Sequence, residues 1–301
     1  MKIKKQKKRA EMTSTQIVTM ILLIAGFAII LYVFNQVGFT KEIDREVCHE
    51  SVILRMTLPD TLNLKNLPSL RCKTKKICIT NNLIGKGDCE KDLGDKYETI
   101  KISKDKKERE KQINAFIAQE LADCWSMMGE GKGQIFTRNF INTRACSICS
   151  RIAFDVELKE ELKEVRGINN YLVSHKIPNA DITYWKFLTI QNNIENYDFS
   201  FDNFSTEQKA IVFIEFVSGT GLQWSGAGIL GTAVLTIAVI SNPIGWVTGA
   251  ALVTGATTVG WIGGAKLTGA VYDKYYAGWA FVNYDAKEIQ DLKCDALENI
   301  P

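Results

Sequence analysis

FVSGTGLQWSGAGILGTAVLTIAVISNPIGWVTGAALVTGATTVGWIGGA, residues 216–265, runs from Glu215 to Lys266 for fifty residues without an Asp, Glu, Lys, Arg or His. Near its middle stands Ser241-Asn242-Pro243, where proline breaks a helix and Asn-Pro favours a turn. The uncharged stretches on either side are each about 22 residues, long enough as helices to cross a hydrocarbon core. Twelve of the chain's 22 glycines fall between Gly219 and Gly269. Small residues at Gly226, Gly231, Gly245, Gly249, Gly260 and Gly264 allow helix backbones to approach closely. The pattern therefore predicts a Gly-rich helical hairpin: a constitutive anchor or oligomerisation hairpin in lipid, a hairpin that perturbs a membrane, or one buried inside a soluble protein. Tyr272, Tyr275, Tyr276 and Trp279 follow it as interface aromatics.

A second apolar segment lies at the other end of the chain. Residues 1–9 carry six cations, and no residue from Met12 to Thr40 is charged. Basic residues before a span and a balanced flank after it (Lys41, Glu42, Asp44, Arg45) keep the N-terminus inside. A cleaved secretory signal would have a shorter apolar region followed by a small-x-small site, whereas Asn-Gln-Val-Gly-Phe-Thr follows Phe34. Arg9-Ala10-Glu11-Met12, just ahead of the apolar helix, resembles the class III signal of archaeal pilin-like proteins.

The chain has 301 residues, 46% of them hydrophobic and 24% charged, with a formal net charge of +3. That balance excludes wholesale disorder and a polybasic nucleic-acid binder. All eight cysteines (Cys48, Cys72, Cys78, Cys89, Cys124, Cys146, Cys149 and Cys294) come after the first span. An even count on the exported side reads as up to four disulfides of unspecified connectivity. A hairpin at 216–265 returns the chain to its starting side, which puts Cys294 in the same compartment as the other seven.

Cys146-Ser-Ile-Cys149 leaves three readings open. The two cysteines bridge to separate partners; they form a redox pair in which one thiol resolves a mixed disulfide of the other; or they give half of a zinc site with Cys124 and His175. Only His49 and His175 are available to His-based chemistry. No Gly-x-Ser-x-Gly, His-Glu-x-x-His or Walker-type phosphate loop is present. Gly129-Glu-Gly-Lys-Gly133 lacks the Ser/Thr of a phosphate loop and reads as a turn closing a helix. Asn203-Phe204-Ser205 is a glycosylation sequon.

Between the two apolar segments, three-to-four spacing of Ile113, Phe116, Ile117, Glu120, Leu121 and Cys124 predicts an amphipathic helix over 104–128. Strands are expected at 71–80, 97–102, 134–140 and 150–158, a short helix at 165–174, and bulky core residues at 184–188. The fold class expected is α+β. It comprises a basic cytoplasmic tail (1–14), a transmembrane anchor (15–36), an extracytoplasmic Cys-rich α+β domain (37–215), the helical hairpin (216–265) and an extracytoplasmic tail (266–301).

Cys124-Trp-Ser-Met-Met-Gly-Glu-Gly-Lys132, followed by Cys146-Ser-Ile-Cys149-Ser-Arg-Ile-Ala-Phe-Asp155, resembles the corresponding run of uncharacterised exported, Cys-rich, membrane-anchored proteins of small-genome archaea. The resemblance covers the anchor and residues 70–160. It implies a cell-envelope setting and brings no activity or catalytic residues with it. The function expected is that of a non-enzymatic envelope protein without a cofactor, partnered by the lipid bilayer and by copies of itself or another envelope protein, with no nucleic acid. Two alternatives stand beside it: a membrane-perturbing or pore-forming protein acting through the hairpin, and an extracytoplasmic thiol oxidoreductase using Cys146 and Cys149.

Overall fold

A computed structural model describes residues 14–36, 39–58, 69–82, 84–136, 144–189, 203–218, 235–241, 247–253, 274–292, 294 and 296–298. The chain divides into two units, Met1–Asp44 and Arg45–Pro301. The first contains α1 (Ser14–Gln36), 23 residues without a charge, about 34 Å long at helical rise. Its large apolar side chains face outward, Leu22 and Leu23 being 67% and 70% exposed. Counting only residues whose side chains are described, which in α1 are 17–30 and 32, no helix is long and apolar enough to cross a membrane.

The second unit is an α+β domain on a mixed eight-stranded sheet. Its elements begin within α2 (Phe39–Thr57) and continue with β1 (Lys75–Thr80), α3 (Glu90–Leu93), β2 (Glu98–Lys101) and α4 (Lys106–Met127). Next come β3 (Arg144–Phe154), α5 (Val156–Glu161), β4 (Glu164–Arg166), α6 (Ile168–Ser174), α7 (Tyr184–Thr189), β5 (Asn203–Ser205) and β6 (Lys209–Ser218). The chain closes with β7 (Leu235–Ser241), β8 (Val247–Val253), β9 (Lys274–Asn283), α8 (Ala286–Asp291) and β10 (Ala296–Glu298). The sheet order is β2-β1-β3-β6-β9-β7-β8, and β4 pairs with β5 separately. β1 runs parallel to both β2 and β3, and the pairings from β3 through β8 are antiparallel. One side of β3 is shared: β1 lies along Ser150–Phe154 and β10 along Ala145–Ser147.

Alternation along the strands divides the core into two faces. Ile77, Ile79, Ile152, Phe154, Ile211, Phe213, Trp279 and Phe281 join Ile113, Ile117, Leu121 and Trp125 of α4 in the main cluster. Ala210, Val212, Ala280 and Val282 face the other way, with Leu292 after α8. α4 starts on Asp105, whose side chain accepts from the Glu108 N–H, one of the donors a helix start leaves orphaned. It ends before a 3-10 turn at Gly129–Gly131, where Gly129 has φ +70° and so sits where a Cβ is disfavoured.

Three expectations are corrected. Where the apolar run is described, at 235–241 and 247–253, it forms strands rather than helices: β7 and β8 pair with each other, and β7 also pairs with β9. Leu-Thr-Ile-Ala-Val-Ile of 235–240 is rich in β-branched side chains, which suit a pleated surface. The second correction moves the strand holding the CxxC: β3 starts at Arg144 and ends at Phe154, and Asp155 then caps α5. Third, Trp279 is fully buried in the main core and is no interface aromatic. The strand expected at 134–140 falls on a non-strand segment through Phe136, and its remainder lies outside the described residues.

Candidate functional site

The cysteines pair as Cys48–Cys72, Cys78–Cys89, Cys124–Cys149 and Cys146–Cys294, leaving none free. The first ties α2 to the segment before β1, the second β1 to the start of α3, and the third α4 to the sheet. The fourth spans 148 residues and fastens the C-terminal tail beside β3. On the chain-entropy view a closure of that length contributes about 5 kcal/mol, against about 3 for the short ones.

Strand geometry explains why the CxxC splits. Residues three apart on a strand point to opposite faces, so Cys146 enters the cluster with Ile148, Val212 and Leu292. Cys149 enters the one with Trp125 and Ile152. A register shift between Ile148 and Ser150 then resets the alternation. This corrects the redox reading, because the two sulfurs are bonded to different partners on different sides of the sheet. It corrects the zinc reading too: Cys124 is bonded to Cys149, and His175 stacks on Tyr171 with centroids 3.8 Å apart. Among the described residues no group of three or more His, Cys, Asp or Glu is placed to hold a metal ion.

An ionic network crosses one side of α4. Glu120 Oε1 and Asp123 Oδ2 lie 3.0 and 3.8 Å from Lys75 Nζ of β1, and Arg45 Nη1 of α2 is 3.0 Å from Asp123 Oδ1. Helical spacing assembles it, since 119, 120 and 123 share one side of α4. Gln119 donates to Asp123 at 2.9 Å and accepts from Tyr184 Oη at 2.8 Å. Burial raises the Glu120 carboxyl above 4.5, opposed by Lys75. Burial likewise pushes Tyr184 to about 12, helped by the charges of Tyr171 and Asp123. Two carboxylates face two cations, so the network fixes α2, β1, α4 and α7 to one another and its formal charge cancels.

The hairpin residues are only partly visible. Ser241 ends β7 opposite Val247, and Gly249 of β8 faces Ile240. Asn242, Pro243, Gly226, Gly231, Gly245, Gly260 and Gly264 lie outside the described residues.

Two charged side chains in the sheet escaped the sequence reading. Glu215, 2% exposed, accepts from the backbone N–H of Ile135 at 2.9 Å and of Phe136 at 3.3 Å. Lys209 is fully buried, and its Nζ contacts Ser205 Oγ at 2.8 Å and Asn283 Oδ1. The available signal was their position at the two ends of Ala-Ile-Val-Phe-Ile, an apolar run too continuous for a strand with a solvated face. The sequon residue Asn203 is exposed and donates to Glu164.

Compared with known proteins, the chain matches no family model, no curated protein and no solved structure.

Proposed function

We propose that the protein is an envelope protein held in the cell membrane by α1, presenting a disulfide-braced α+β domain on the oxidising side, where it acts through contacts with other proteins. The observation that carries the reading is the conjunction of α1 with four disulfides. A charge-free 23-residue helix with outward-facing Ile, Leu and Phe side chains is poorly suited to water. It is matched to lipid, which takes about 20 such residues per span. Six cations precede it and all eight cysteines follow it, so an inside N-terminus delivers every thiol to the compartment in which disulfides persist. With every cysteine bonded and the ionic network charge-balanced, the described surface favours recognition over thiol chemistry.

The test is extraction of membranes with alkaline carbonate, combined with maleimide labelling before and after reduction. The full chain is expected to stay with the membrane, to take label only after reduction, and to become extractable when residues 1–36 are removed. Recovery of the full chain as a soluble monomer with labelled thiols would overturn the reading.

A second reading, membrane perturbation by the uncharged run, draws on the adjacent strands β7 and β8, which carry no charge. It requires dye release from anionic and neutral vesicles by the full chain, and loss of that release when Val239 and Ala251 are replaced by Asp.

A further inference from the structure

We infer that Lys209 and Asn283 are joined by an intramolecular isopeptide bond, a covalent cross-strand brace formed by the protein on itself. The inference begins with register. Lys209 of β6 stands directly opposite Asn283 of β9, and opposed residues on one face have Cβ atoms about 5 Å apart. Both continue the face that carries Ile211, Phe213, Trp279 and Phe281 into the main core. The fully buried lysine side chain reaches across the strand pair, and its amine ends on the half-buried Asn283 carboxamide oxygen and the Ser205 hydroxyl. The neighbouring wall is aromatic: Phe204 meets Phe281 edge-on with centroids 5.2 Å apart. The step uses the uncharged amine, which is the nucleophilic form. Holding it against one carboxamide replaces a bimolecular encounter with a preset one.

The reaction balances without a cofactor. The Nζ lone pair adds to Cγ of Asn283, and the Cγ–Nδ2 bond breaks. One Nζ proton passes through Ser205 Oγ to Nδ2, and ammonia leaves. Lysine amine and asparagine carboxamide thus become a secondary amide and ammonia, with no oxidation or reduction. The lysine side of the new amide is fully buried, which limits the access of water to it. The bond closes residues 209–283 into a ring that contains β7, β8 and the uncharged run. Thiol reductants cannot open that ring.

Mass spectrometry of the full chain, purified in detergent and then reduced and alkylated, tests this. The expected mass is lower than that of the sequence by one ammonia, with trypsin failing to cut after Lys209 and a branched peptide joining 209 to 283. Lys209→Met and Asn283→Ala are each expected to restore the full mass. Asn283→Asp covers the case in which those variants do not fold, because the same bond would then cost one water instead of one ammonia. A succinimide at another asparagine also loses ammonia, but that loss would persist in Lys209→Met and leave no branched peptide. That result would overturn the inference, as would an intact wild-type mass in protein with all four disulfides formed.

Discussion

Asp155 gathers donors from three directions. It accepts from Thr80 Oγ1 and the Asp88 N–H, each at 2.9 Å, and from the Glu157 N–H at the start of α5. Asp155→Ala would orphan a buried hydroxyl and remove a helix cap, so unfolding free energy should fall by about 2–4 kcal/mol. A urea titration with unchanged slope would report it. Beside it, a Cβ on Gly87 would lie 2.7 Å from Cys78 Sγ and 2.9 Å from Thr80 Cβ. Gly87→Ala should therefore cost about 1–3 kcal/mol by overpacking, and unchanged thermal stability would refute that. Glu120 sets a pH dependence whose sign is fixed by burial. Its native carboxyl holds its proton at pH values where the unfolded chain has already released it. Its contribution is therefore greatest below about pH 4.5 and falls as pH rises toward the native value. Glu120→Gln should flatten this part of the profile, seen as a smaller drop in urea midpoint between about pH 4 and about pH 8. The Asp155–Thr80 contact is not visible locally, since the two residues are 75 apart.

At the level of elements, α1 and α4 were legible from sequence because their evidence is local. An uninterrupted charge-free run specifies a helix, and a three-to-four apolar period specifies a helix with one buried face, with no knowledge of partners. The run at 216–265 was legible as apolar and reversing, but its period was not decisive. An all-apolar segment lacks the polar face that separates a 3.6-residue repeat from a two-residue one. What favours strand for 235–241 is the β9 edge, to which Leu235–Ser241 pairs residue by residue. Ile24→Arg places a charge at the middle of α1 and should penalise membrane insertion by about 2.5–3.5 kcal/mol. Quantifying membrane-integrated against translocated chain would check it, and equal retention would count against α1 as a span.

For the whole molecule, long-range closure is the main issue. β10 contributes three residues, Ala296–Glu298, along the part of β3 that β1 leaves open. A strand that short is marginal alone, so the Cys146–Cys294 bond supplies the constraint. Replacing both cysteines by Ser should lower stability by about 4–5 kcal/mol on the chain-entropy estimate. Backbone amides of 296–298 should then exchange with solvent well before those of β6 and β9. If their protection survived, pairing with β3 would be the true hold.

The sequence by itself determined the α+β class, the apolar N-terminal helix and an even set of cysteines, because composition and spacing along the chain carry those properties. The tertiary structure alone decided which sulfur meets which, that the CxxC divides between two sheet faces, that 235–241 and 247–253 of the glycine-rich run pair as strands, and that Lys209 lies against Asn283. Each of those depends on strand register between segments tens of residues apart, and register is set by the shared core that the segments bury together.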